Sequence, residues 1–338
     1  ALFLDPSEYE FDKLEDINGL STDKEWSGKI DVARRFALVS GDFELKAGAK
    51  ARLREKDYNL TDNVYDGFDG ADDFTLADVV GGQTYSLANL GPLPDLNKAR
   101  AFFAANRDLF ELNAFDSEYE AAAAYFDVNE DIYAAYLQGR YETGALMVIG
   151  GVRMEQTKDD LKGNTLETYE EGATLNGVVL DEDTNVITPF TASKDYTDWL
   201  PSVNVKYQAS ENVILRGGVF ASIVRPGIGK LAPRFLIEQN DDNEREGEFG
   251  NPDLDPYHAL NADVSAEYYF APGGVIQIGA FYKDIEDFIV DQNLDIAGVY
   301  RGIAYDEATI PINGDTAKVK GVEFNYQQAL DFLPGLLD

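Results

Sequence analysis

Apolar and polar positions alternate with a period of two along several stretches of this chain. That alternation predicts β-strands with one apolar and one wet face. The clearest case follows Val39. Phe43, Leu45, Ala47, Ala49, Ala51 and Leu53 share one face, and Glu44, Lys46, Lys50, Arg52 and Arg54 share the other. The same reading predicts about nine strands, near 26–37, 42–56, 129–142, 145–157, 197–208, 212–223, 258–270, 274–289 and 316–328. On the later ones Val203, Val205 and Tyr207 oppose Asn204 and Lys206. Val264, Ala266 and Tyr268 oppose Asp263, Ser265 and Glu267. One residue breaks parity: Arg34 lies on the apolar face with Trp26, Ile30, Val32 and Phe36.

The connections alternate in length. Those near 40, 143, 210 and 272 are tight turns, and those near 59–126, 158–194, 225–256 and 291–314 are long. A soluble sandwich has shorter, more even spacings. Short turns at one end, long loops at the other and strands apolar outside predict a transmembrane barrel. Strands of about 9–11 residues suffice to cross a bilayer at barrel tilt. An aromatic residue precedes each turn on the apolar parity or ends the last strand: Phe36, Tyr141, Tyr207, Phe270 and Tyr326. These form a candidate interfacial girdle. The first long loop carries its own helices. Asp95 to Asn113 has an apolar stripe through Ala99, Phe102, Phe103, Leu109 and Phe110, and Ser117 with Glu120 makes a capping-box pattern before a second, short helix.

Composition narrows the function. With 28 Lys+Arg against 62 Asp+Glu, the net charge of −34 excludes a nucleic-acid binder held by general electrostatics. There is no cysteine, hence no disulfide framework or thiolate site. No apolar run is long enough for a transmembrane helix, which leaves barrel strands open. The first residues, Ala1 to Leu4, lack the features of a leader, and the chain reads as an internal piece of a longer protein.

Several motifs then resemble one family. Leu200-Pro-Ser-Val-Asn-Val-Lys-Tyr207, Leu215-Arg-Gly-Gly-Val-Phe220, Arg225-Pro226, Gly250-Asn-Pro-Asp-Leu-Asp-Pro256, Glu267-Tyr-Tyr-Phe270 and Phe281-Tyr-Lys-Asp-Ile-Glu-Asp-Phe-Ile289 resemble the barrel region of TonB-dependent outer-membrane receptors. Gly150-Gly-Val-Arg-Met-Glu155 fits the same pattern. The resemblance covers about residues 127–330, and the flavour is that of the carbohydrate-uptake branch of xanthomonads and caulobacters. It implies an all-β, antiparallel up-and-down barrel of roughly twenty-two strands, of which this chain would supply about nine, with short helices in a long extracellular loop. It further implies a plug domain, a TonB box and final strands not present in this sequence. The implied partners are the TonB complex, outer-membrane lipid and lipopolysaccharide, and a small solute. The implied location is the bacterial outer membrane. Siderophore or metal-chelate uptake, a passive porin-like channel and a soluble acidic carbohydrate-binding protein are the alternative readings.

Candidate residues follow from position. Loop aromatics Tyr65, Phe68, Tyr85, Phe190, Phe235 and Tyr300 are candidates to stack on sugar rings, against the plainer reading that loops pack on each other. Arg140, Arg153, Lys206, Arg216 and Glu267 are candidates to line the lumen, where they meet solute or plug, or pair across the wall. Loop acids such as Asp62, Asp66, Asp69, Asp72 and Asp73, or Asp241, Asp242, Glu244, Glu246 and Glu248, lack the spacing of a calcium loop and read as solvated. His258 is the single histidine, with no cysteine to share a metal. No catalytic motif and no cofactor motif is present, so the chain reads as a non-enzyme.

Overall fold

In the computed structural model, which describes residues 2–82, 90–239 and 244–329, nine long strands follow one another in the chain. They are β1 (Leu14–Leu38), β2 (Gly41–Phe68), β3 (Phe126–Thr143), β4 (Leu146–Tyr169), β5 (Thr184–Ser210), β6 (Val213–Val224), β7 (Tyr257–Ala271), β8 (Gly274–Glu286) and β9 (Ala317–Gln327). Each pairs with the next, so the expected all-β up-and-down meander is what the structure shows. Two-residue turns join β1 to β2, β3 to β4, β5 to β6 and β7 to β8. Gly273, at φ +70°, makes the β7–β8 turn in a conformation that costs glycine little.

Several strands run well past the predicted ends. β2 has 28 residues and β5 has 27, against the roughly 9–11 that cross a bilayer. Their outer parts, such as Asp57–Phe68, lose the apolar–polar alternation because residues of both parities are covered there: Asp62, Val64 and Tyr65 are all buried. Pairing persists without the pattern that announces it.

Contacts divide the chain into two units. The larger comprises residues 22–57, 126–165 and 189–338. Within it the register of β5 to β9 sets side chains in rows. Val205, Gly217, Val264, Ala280 and Val322 lie side by side, as do Tyr207, Leu215, Ala266, Ile278 and Phe324. These apolar rows are exposed: Val264 is 62% accessible and Val322 73%. Between them, on the opposite face, runs the polar row Lys206, Arg216, Ser265, Gly279 and Glu323. A sheet with its apolar face outward and its charges inward is inside-out relative to a soluble protein, and fits hydrocarbon as the outer solvent. At the turn end, Phe270 stacks on Tyr326 with centroids 5.9 Å apart, and Phe36 lies 6.2 Å from Phe43. Arg34, without explanation from parity, sets its guanidinium 5.1 Å from the Phe36 ring centroid. This cation–π contact next to the rim lets a charge sit on the apolar face.

The same unit buries two small cores, one in its loop segments and one between loop segments and the ends of β3 and β4. One gathers Phe235, Ile237, Phe249, Tyr305, Ala308 and Ile310, built on the hairpin Phe235–Gln239 with Arg245–Phe249 and on Glu307–Asn313. The other gathers Val128, Leu161, Leu231, Leu254 and Ile289.

The smaller unit comprises residues 1–21, 58–125 and 166–188. Its helix Leu96–Asn106 is capped by Asp95, whose carboxylate accepts from the amides of Asn97 and Lys98 at 2.9 and 3.0 Å. The predicted helical stripe through Leu109 and Phe110 is corrected. A single 3₁₀ turn at Arg107–Leu109 ends the helix, and Phe110–Asn113 pairs as a strand with the end of β2. The second helix, Ala114–Ala124, starts earlier than the capping box suggested. Asn113 is its cap, accepting from the Asp116 amide at 2.9 Å. Ser117 sits inside, donating to the Asn113 carbonyl at 2.6 Å and accepting from the Val64 amide at 2.9 Å.

Candidate lumenal site

The polar face of the larger unit divides into a paired half and an open half. On β1 to β4 most charges have a partner within reach. Arg35 donates to Glu44 at 2.8 Å, Arg54 to Asp23 at 2.6 and 2.9 Å, and Tyr136 to Asp31 at 2.6 Å. Arg52 pairs with Glu130. Arg140 donates to Glu142 at 2.6 Å, and Arg153 to Glu155 at 2.6 Å, each within its own strand. Glu155 takes a second arginine: Arg225, just past β6, donates to its other oxygen at 2.6 Å and to Thr157 at 3.0 Å. The predicted lumen residues Arg140 and Arg153 are therefore held by local ion pairs.

On β5 to β9 the picture changes. Arg216 donates to Glu267 at 2.7 Å, and Tyr269 donates to the same carboxylate at 2.8 Å. Lys206, facing Arg216 across the pair of strands, makes no hydrogen bond or ion pair among the described residues. A cavity of about 350 Å³ opens over this row, lined by Asn204, Lys206, Asp263, Gln277, Phe281 and Glu323 among others. Its floor is glycine: Gly218 and Gly279 face inward there. Phe281 is an aromatic residue of this cavity that the sequence reading did not single out. Its odd position, in register with Asp263 and between Gln277 and Lys283 on the polar parity, was the available signal.

The loop aromatics fall into two ring clusters, one per unit. In the smaller unit Tyr65 is 6% exposed and packs on Phe103 and Phe110 at 5.1 and 6.3 Å, and Arg107 donates to its hydroxyl at 3.0 Å. Phe68 contacts Phe74, Phe102 and Phe110 at 5.5, 5.8 and 5.0 Å. In the larger unit Phe235 is fully buried, 4.8 Å from Phe190 and 6.0 Å from Tyr300. Tyr300 stacks on Phe249 at 5.3 Å, and Arg301 lies over both Phe190 and Tyr300 at 5.7 and 5.9 Å. Tyr65 and Phe235 are thus covered by protein and offer no ring face to a solute, while Phe190 and Tyr300 remain partly accessible. Tyr85, Asp241 and Asp242 lie outside the described residues.

Among the described residues no group of three or more His, Cys, Asp or Glu is placed to hold a metal ion. His258 instead bridges two carboxylates, with Nε2 2.7 Å from Asp198 and Nδ1 3.2 Å from Asp287.

Comparison with known proteins places this geometry. The family described as TonB dependent receptor-like, beta-barrel matches residues 6–337. The ferric-catecholate import receptor Fiu from E. coli K12, in its closed form, is similar with a TM-score of 0.52 at 14% identity, over 90% of this chain and 35% of that one. The hemophore receptor HasR of Serratia marcescens, in complex with HasA and heme, is similar with a TM-score of 0.45 at 14% identity, over 91% of this chain and 47% of that one. This chain therefore spans between a third and a half of those receptors, and the likeness to Fiu shows the fold alone. No curated protein matches the chain.

Proposed function

Because the chain belongs to the TonB-dependent receptor β-barrel family, matched over residues 6–337, we propose that the intact protein sits in the bacterial outer membrane and takes up a scarce solute, a carbohydrate, with energy delivered by TonB. The observation that carries this reading is the inverted sheet, with apolar rows such as Val205, Val264 and Val322 outward and Lys206, Arg216 and Glu323 inward. Such a wall encloses a polar path and stands in lipid. Outer-membrane lipid and lipopolysaccharide are the surroundings of the outward rows. In the loops, Phe190 and Tyr300 beneath Arg301, and Phe68, are partly accessible rings that can meet a solute, whereas Tyr65 and Phe235 hold the loops together.

Cells expressing the intact protein, given ¹⁴C-labelled maltose, sucrose or xylobiose, test this. Uptake of at least one sugar should exceed that of cells lacking the protein and should stop when a protonophore collapses the energy supply. Uptake that persists with the protonophore would mean a passive channel. Uptake of a ferric catecholate, with none of any sugar, would move the assignment to chelates.

A further inference from the structure

Asp159 and Glu130 lie directly opposite each other where β3 pairs with β4. Opposed side chains of an antiparallel pair share a face, and like charges there are destabilising. The two acids are treated unequally. Glu130 has Arg52 as its partner. Asp159 makes no hydrogen bond or ion pair among the described residues, although it is only 4% exposed. It is the fourteenth residue of β4, beyond the roughly 9–11 that cross a bilayer.

The chain itself covers this carboxyl. On the same face of β4, Thr157 to one side of Asp159 accepts from Arg225 at 3.0 and 3.2 Å. Leu161, to the other side, packs in one core with Leu231 and Leu254. Arg225 opens the connection that carries the helical turn Ile228–Leu231, and Leu254 lies near its far end. Gly163 is so close to that connection that a Cβ on it would meet the Pro233 carbonyl at 2.7 Å. Residues 225–233 therefore run as a strap over the end of β4, with Asp159 beneath.

Every cation near Asp159 is spent elsewhere. Arg153 and Arg225 both donate to Glu155, at 2.6 Å each. Lys194, on β5, donates to Asp255 and to the Asp253 carbonyl, both at 2.6 Å. Lys230, on the strap, donates to Asp291 at 2.6 Å. The remaining neighbours are Asp160 and the Tyr196 hydroxyl, which is buried without a partner among the described residues. Burial, and then the charge of Glu130, push the Asp159 carboxyl up to about 7. A metal cation in the proton's place would be repelled by Arg52, Arg153 and Arg225.

We infer that Asp159 is a protonation latch: as the neutral acid it lies under the strap of residues 225–233, and as the carboxylate it favours the state in which the strap lifts and water reaches it. With the strap down the carboxyl titrates near 7, and in water it returns to the ordinary aspartate value of 3.8. Closure is therefore strongest below the ordinary value. It weakens as pH rises toward 7, by up to about tenfold per pH unit in the ratio of open to closed, and the ratio levels off above that. The latch is independent of which solute the intact protein takes up.

The test uses the intact protein in detergent. Amide hydrogen exchange of residues 227–232 is followed by mass spectrometry between pH 5 and pH 7, on the order of two decades of proton activity. Divided by the intrinsic rate, opening should rise about tenfold or more over that interval in the parent. Asp159→Asn, which keeps the shape of the neutral acid, should stay near the parent's most acidic value throughout. Glu130→Gln leaves Asp159 in place and removes the opposed charge, so the rise should shrink. All variants should keep the parent's heat-modifiable mobility on gels, which reports folding separately. Opening that does not change with pH in the parent, or a full rise retained in Asp159→Asn or in Glu130→Gln, would overturn the latch.

Discussion

Arg225 crosses over β5 to reach Glu155: its Nη2 lies 2.6 Å from Oε2 of a carboxylate two strands away. The other Glu155 oxygen accepts from Arg153 at 2.6 Å, and Arg225 also donates to the fully buried Thr157. Arg225 is the first residue after β6, so the pair fastens the start of the long connection to the inner face. Arg225→Ala leaves Glu155 with one partner, and should loosen residues 226–256 by about 2–4 kcal/mol. Limited proteolysis should show faster cleavage within that connection. A double-mutant cycle with Glu155→Gln should return a coupling of about 1 kcal/mol or more, and simple additivity would mean the pair is inert.

Facing along β7 is equally open to trial. Val264 points outward and Ser265 inward. Val264→Arg puts a charge toward hydrocarbon at a cost of about 2–4 kcal/mol if it lies near mid-membrane. It should reduce the heat-modifiable form of the intact protein on gels, while Ser265→Arg should assemble like the parent. Equal assembly of both would reverse the assignment of faces.

Glu120, on the helix Ala114–Ala124, is held above the usual glutamate range, chiefly by burial and then by the neighbouring charges of Asp62 and Glu15. Since the folded state favours the protonated acid, ionising it costs stability above its raised pKa. The cost is relieved as pH falls from neutral toward the ordinary glutamate range. Amide exchange of this helix, read by mass spectrometry, should therefore slow more on acidification in the parent than in Glu120→Gln, compared at equal pH so that intrinsic rates cancel. Identical profiles would remove Glu120 as the cause.

Phe110 occupies the middle of the aromatic cluster of the smaller unit, with ring contacts to Phe11, Tyr65, Phe68, Phe74, Phe102 and Phe103. It is 6% exposed. Phe110→Ala should cost about 3–5 kcal/mol, seen as rapid protease cleavage between residues 69 and 113. Phe110→Leu, which keeps much of the volume, should lose less than half of that.

The wall could be read from the order of residues alone. Hydrocarbon on one side and water on the other force a period of two locally, so Val203, Val205 and Tyr207 reveal their face without knowledge of any partner strand. Turn chemistry at Gly144 and Gly273 is likewise local. Where the chain leaves that asymmetric solvent the rule lapses. The outer half of β2 stays paired while residues of both parities, Val64 and Tyr65, are buried, and the predicted helix gives way to a 3₁₀ turn at Leu109 and a strand from Phe110, where Asn113 and Val64 come into register. Side-chain roles were decided by residues far apart in sequence. Tyr65 and Phe235 look like exposed loop aromatics until Phe103, Phe110, Phe190 and Tyr300 close over them. Arg34 looks misplaced until its stack on Phe36 is seen. Lys206 and Arg216 have the same charge and the same parity, yet Glu267 on β7 satisfies only the arginine. Phe281 and Gly321 lie on different strands, and only pairing of β8 with β9 makes the second the seat of the first. Alternation is a response to solvent, felt residue by residue. Partnership depends on register between strands, which no single stretch of sequence contains.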